Sequence, residues 1–182
     1  MAIEYATADN FRYATTEQLR PIIQALTNVE WPCSAEAIPG LIDQLGWAFM
    51  SDRVNVHADT GLPLNSRTGS FSRPHGEFRE VTLSVSDVVD DSDELALATV
   101  RRAFPVLLES IEPILGPAFG TAFDEDGDPQ AWWELRNGGR MRLDSIGICL
   151  KFRLLSKMDA DAERFAETHD MSEYEGYEDA DE

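Results

Sequence analysis

Residues 131–155 read AWWELRNGGRMRLDSIGICLKFRLL, and their alternation decides the fold. Ala131, Trp133 and Leu135 share one phase, and Glu134 and Arg136 share the other. A period of two marks a strand with one buried face. Asn137-Gly138-Gly139 is the turn. A three-residue loop over 137–139 would set Leu135 opposite Met141, Trp133 opposite Leu143 and Glu134 opposite Arg142, keeping the apolar residues on one face. The hydrophobic face selects the register. Beyond Leu143 the apolar phase slips to Ile146, Ile148, Leu150, Phe152 and Leu154. The slip predicts a bulge or tight turn near Asp144-Ser145. Lys151 and Arg153 then face outward, in phase with Cys149.

Working outward, Thr15 and Gln18 form a capping box for a helix running to about Val29, with Pro21 near its start. Ser34 is placed to cap a second helix that Gly46 ends. Trp47, Phe49, Val54 and Val56 suggest interrupted strands, residues 62–72 an edge strand at best, and 78–86 a firm strand; together they predict a three-stranded meander. Ser92 is placed to cap a long helix whose apolar stripe is Leu95, Val100, Phe104, Leu107, Leu108, Ile111 and Leu115. Pro105 predicts a kink in it, and Pro113 to Pro117 its end. Residues 119–123 read as a connector, 124–129 as an acidic turn, and 159–167 as a short final helix.

The expected fold class is α+β. An antiparallel sheet of about five to six strands carries helices on one side, in the order α-α-β-β-β-α-β-β-(β)-α. The expected organisation is an N-terminal extension over 1–14, one domain over 15–157, and a largely disordered acidic tail over 158–182.

At 182 residues with 43% hydrophobic content, the chain has the makings of a single folded core. Its formal charge is −19. From Met158 to Glu182 eleven acids stand against one base, Arg164. Such a charge repels phosphates and disfavours nucleic acid and anionic membranes; it favours a basic protein partner. Cys33 and Cys149 are far apart and outside any paired motif, which fits a reducing cytoplasm. The first residues have no signal-peptide pattern, and no apolar run reaches the roughly 20 residues of a membrane span.

Chemical motifs are sparse. Asp124, Asp126 and Asp128 alternate as in a calcium loop, but the glycine stands fourth and the twelfth position is Leu135 rather than Glu. His57 with Asp59, and His75 with Glu77, are i, i+2 pairs beside turns, with no third ligand in sequence. Cys149 lies between Ile148 and Leu150, the setting of a buried thiol. Phosphate loops, dinucleotide fingerprints and nucleophile elbows are absent from the sequence. No catalytic residue, metal site or cofactor is therefore expected. If Trp133 faces the core, Trp132 faces the other way. There it either anchors an interface beside the acidic turn or lies under a helix or the tail. The candidate partner-binding residues are Asp124, Glu125, Asp126, Asp128, Trp132 and Glu134.

The element order resembles that of class I type III secretion chaperones. In addition, the stretches EWPCSAEAIPGLIDQLGW, DSDELALATVRRAF and GDPQAWWEL resemble a family of uncharacterised actinobacterial proteins, over about residues 17–155. That resemblance places relatives near genes for polymorphic or type VII secreted toxins and implies an immunity role, with no functional residue to carry over. The leading expectation is a cytoplasmic, non-catalytic binding protein whose acids and aromatic anchor cover the basic cleft of a toxin. The alternatives are a secretion chaperone, for which a homodimer with an apolar groove is expected, and an enzyme with His57 or His75 in a deep pocket.

Overall fold

Two antiparallel meanders lie edge to edge and share one eight-stranded sheet. The computed structural model describes residues 3–169. Helix α1 (Thr16–Thr27) starts at the Thr15 capping box: the Thr15 hydroxyl accepts the Gln18 N–H, and the Gln18 side chain accepts the Thr15 N–H. Strand β1 (Cys33–Ser34) and a single 3-10 turn (Ala35–Ala37), capped by Ser34, lead into α2 (Ile38–Leu45). Gly46 ends α2 in the left-handed region.

The first meander is β2 (Ala48–Asp52), β3 (Val56–Asp59), β4 (Thr68–Ser72) and β6 (Glu80–Ser84). The short β5 (Glu77–Phe78) pairs separately with β1. The meander therefore has four strands, not three. Thr68–Ser72 lies inside the sheet rather than at an edge, because Phe71 is buried between Val56 and Val81 on the neighbouring strands. Helix α3 (Glu94–Leu115) then crosses to the far edge. The second meander runs back through β7 (Gly120–Phe123), β8 (Pro129–Glu134), β9 (Arg140–Ser145) and β10 (Leu150–Leu155). Its last strand pairs with β6, so the strand order is β2-β3-β4-β6-β10-β9-β8-β7. Residues expected to be a connector, 119–123, thus supply an edge strand, and the sheet exceeds the five to six strands expected.

Asp93 rather than Ser92 caps α3, accepting the Ala96 N–H. The helix runs through Pro105 and Pro113 to Leu115. Leu95 is exposed and outside the buried stripe, which is Ala96, Val100, Ala103, Phe104, Leu107 and Ile111. This stripe, α1 and the sheet's apolar face enclose one core. A chain of tilted aromatic pairs, Trp47–Phe71–Phe78–Trp31, with centroids 5.4–5.8 Å apart, runs through it.

Helices do not lie on one side alone. Trp133, Met141 and Leu143 face α3, and the Trp133 indole N–H donates to the Gly116 carbonyl. Arg140 and Arg142 alternate to the opposite face, where α4 (Lys157–Thr168) meets them. Residues 158–168 of the expected disordered tail are therefore helical; residues 170–182 lie outside the described residues.

The N-terminal extension is also tied down. Ala6 bridges Val89, Tyr13 bridges Ser86, and Asp87, fully buried, accepts from the Arg12 and Asn65 backbone N–H groups and the Arg12 guanidinium.

The hairpin register differs from the expected one by two residues. Trp133 is opposite Met141, Ala131 opposite Leu143, Trp132 opposite Arg142 and Glu134 opposite Arg140. The loop is 136–138, closed by the Leu135 N–H donating to the Gly139 carbonyl. A tertiary contact sets it. The Asn137 amide donates to the Val29 carbonyl at the end of α1, and its oxygen accepts the Gly139 N–H. Gly138 takes the positive φ of 87° that the turn needs. A shift of two preserves the faces, so the apolar side survives. The later phase slip is a tight turn, with the Ile146 N–H donating to the Cys149 carbonyl, and it buries Cys149.

Candidate functional site

The outward positions of four adjacent strands carry charge: Glu80 on β6, Arg153 on β10, Arg140, Arg142 and Asp144 on β9, and Glu134 on β8. Helix α4 closes over them with its own carboxylates. Arg140, 1% exposed, donates to Glu134, Glu163 and Glu167 and sits 5.5 Å from the Trp132 ring centroid. Arg142 donates to Glu163, Asp144 and Gln130. Arg153 pairs with Glu80 and Asp144, Arg164 with Glu134 and Asp161, and Arg79 with Asp159. The helix buries only Ala160 among its own residues, so it is held by ion pairs more than by apolar contact.

Burial works against the Arg140 charge, but hydrogen bonds to Glu167, Glu134 and Glu163 outweigh it and raise the guanidinium above its ordinary range. Burial would likewise raise Glu134 and Glu80. The donors Arg164 and Arg140 on Glu134, and Arg153 and Thr82 on Glu80, outweigh it and hold both carboxyls below the usual range.

The six candidate residues fall into two groups. Glu134 and Trp132 belong to this arginine layer. The Trp132 ring is half-buried, wedged between Arg140 and Gly120, where a Cβ would come within 2.2 Å of it. Asp124, Glu125, Asp126 and Asp128 form the β7–β8 loop at the other end of β8, about 20 Å away at the usual strand rise. The Asp124 carboxylate accepts the backbone N–H groups of Asp126 and Asp128, which shapes the loop and leaves Glu125 and Asp126 pointing into solvent. Asp128 turns inward against Gly147 and Ser145; burial and the neighbouring Asp124 raise its carboxyl above the usual range.

The sequence left a second acidic loop unconnected to this one. The Val89 N–H donates to the Ile148 carbonyl, so Asp90 and Asp91 emerge beside the same 146–149 turn that Asp128 touches. The two loops therefore share one end of the sheet. Exposed Ile146, Phe123 and Leu95 add apolar surface on the neighbouring turn, edge strand and helix start. The arginine layer was also missed. Its signal was present, as bases on the outward phase of two adjacent strands followed by acids at helical spacing, Asp159, Glu163 and Glu167.

Little else converges. His57 lies within β3 with its ring half-buried, rather than in an exposed turn, while its neighbour Asp59 accepts the Gly61 N–H and pairs with Arg67. His75 is exposed in a turn at φ 55°. Burial raises both the Cys33 and Cys149 thiols, opposite to what a nucleophile needs. A hollow of about 270 Å³ lies between Trp31, Cys33, Phe78, Arg79, Lys157 and Met158, and neither histidine lines it. Among the described residues no three His, Cys, Asp or Glu side chains are grouped to hold a metal ion, and no helix is long and apolar enough to cross a membrane.

Fold and site together define an α+β protein with an internally neutralised polar sheet face and an acidic end whose Glu125, Asp126 and Asp91 are exposed. The chain belongs to the family of unknown function DUF6301, which it matches over residues 17–156. No curated protein and no solved structure matches it.

Proposed function

We propose that this chain is a non-catalytic cytoplasmic binding protein that captures a basic protein partner at its acidic end. In keeping with the resemblance to an actinobacterial family encoded beside toxins, the partner is a cognate secreted toxin. The bound chain occludes the toxin's active cleft, an immunity role. One observation carries the reading. Arginines 140, 142, 153 and 164 are consumed inside the molecule, whereas Glu125, Asp126 and Asp91 stand in solvent beside exposed apolar side chains. Apolar surface rimmed by charge is the anatomy of a protein interface, and the excess of one sign steers a partner of the other.

The test is inhibition of the toxin encoded next to this chain, at low and high salt. The expected result is loss of toxin activity at equimolar ratio, weakened by salt and by Glu125→Gln with Asp126→Asn. A toxin that keeps full activity in excess protein would rule the reading out.

A further inference from the structure

We infer that the open edge of β7 is a docking strand, and that its occupant is an extended basic segment of the partner, added antiparallel or parallel as a ninth strand. The inference rests on the binding reading above and specifies how the partner is held.

The two ends of the sheet differ. At β2 the register breaks between Phe49 and Ser51, and Asp52 is clamped by Arg73, so that edge is irregular and pinned. Among the described residues no strand pairs with the outer side of β7, and its register with β8 is unbroken from Gly120 to Phe123. The Asp124 N–H donates to the Asp128 carbonyl, which makes 124:128 a hydrogen-bonded pair. The pairing of Ala122 with Gln130 and Gly120 with Trp132 continues that alternation. Thr121 and Phe123 therefore turn their main-chain groups away from β8, toward the open edge.

Along this edge Phe123, the last residue of β7, is 75% exposed, and Phe119, in the bend just before the strand, is 73% exposed. A strand laid here gains main-chain hydrogen bonds, and one of its side chains meets the Phe123 ring. The charge selects the occupant. The strand runs directly into Asp124, Glu125 and Asp126, so lysine or arginine on the added segment is favoured at that end. A second copy of a chain carrying −19 is disfavoured.

The probe is a capped decapeptide alternating lysine and valine, with a glutamate–valine peptide as control. Titration calorimetry should detect binding of the lysine peptide only. Hydrogen exchange on the unaltered protein should show the Thr121 and Phe123 amides slowed by the peptide, a readout independent of any variant. Thr121→Pro removes one outward donor at a position where an edge strand tolerates proline, and should weaken binding about tenfold. Unchanged amide exchange, or full affinity in Thr121→Pro, overturns the strand pairing. If Glu125→Gln with Asp126→Asn weakens binding while Thr121→Pro does not, the basic-partner reading stands and the docking strand falls. A dimer in sedimentation that Thr121→Pro abolishes would assign the edge to a second copy and overturn it too.

Discussion

Arg140 is the residue on which the polar face turns. It sits opposite Glu134 in the hairpin, under Glu163 and Glu167 of α4, and against Trp132. Breaking a buried ion pair leaves uncompensated charge, at a cost of roughly 3–5 kcal/mol. The three carboxylates keep some contact with water. Arg140→Met is therefore expected to cost about 3 kcal/mol, the low end of that range, measured by urea unfolding. Gly120 is the second sensitive position. Any side chain there enters the space of the Trp132 ring. Gly120→Ala should destabilise by about 1–3 kcal/mol, as overpacking does, and should move Trp132 off Arg140, visible as a change in indole emission. Neither dependence was readable from the sequence. Gly120 fell within residues read as a connector, and the hairpin phase placed Glu134 opposite Arg142. Asn137 reaching to Val29 is a contact between residues more than a hundred positions apart, and local alternation carries no record of it.

At the scale of elements, α4 is the piece most exposed to solution conditions. Glu134, the partner of Arg164 in α4, and Asp161 of the helix itself have folded-state values below their ordinary ones. Depressed carboxylates lend stability above the unfolded value, and that stability is lost as pH falls through the folded value. Below about pH 4, α4 is expected to lose amide protection before the β6–β10 core does, and salt should shift the loss to higher pH. Exchange measured along a pH series checks the order. Asp128 works in the opposite sense: its raised carboxyl favours the protonated form, so acid does not weaken the β7–β8 loop through it. Helices α1 and α3 and the hairpin were legible because capping residues and periodic apolar spacing are local signals. Strands β4 and β7 were not. Gly69, Ser70 and Gly120 have weak strand propensity, and the neighbours they pair with impose the conformation.

At the scale of the whole molecule, the α+β class followed from pattern alone, and the match to a family over residues 17–156 agrees in extent with the resemblance seen in the sequence. The candidate site was half legible. Four acids in one loop were evident, but their companionship with Asp90 and Asp91 depends on Val89 lying beside Ile148. Part of the charge is sorted: Arg140, Arg142 and Arg153 are folded inward, while Glu125, Asp126 and Asp91 stand in solvent at one end of the sheet.

The last strand made, Leu150–Leu155, occupies the middle of the sheet, between β6 and β9. A growing polypeptide therefore presents β6, with Val81 and Leu83, as a raw margin until some seventy more residues have been synthesised. The two halves cannot join before the ribosome has delivered Leu150–Leu155. Truncated products would be sticky rather than merely incomplete, and the acids that come after Leu155 reach the nascent protein just as that seam closes.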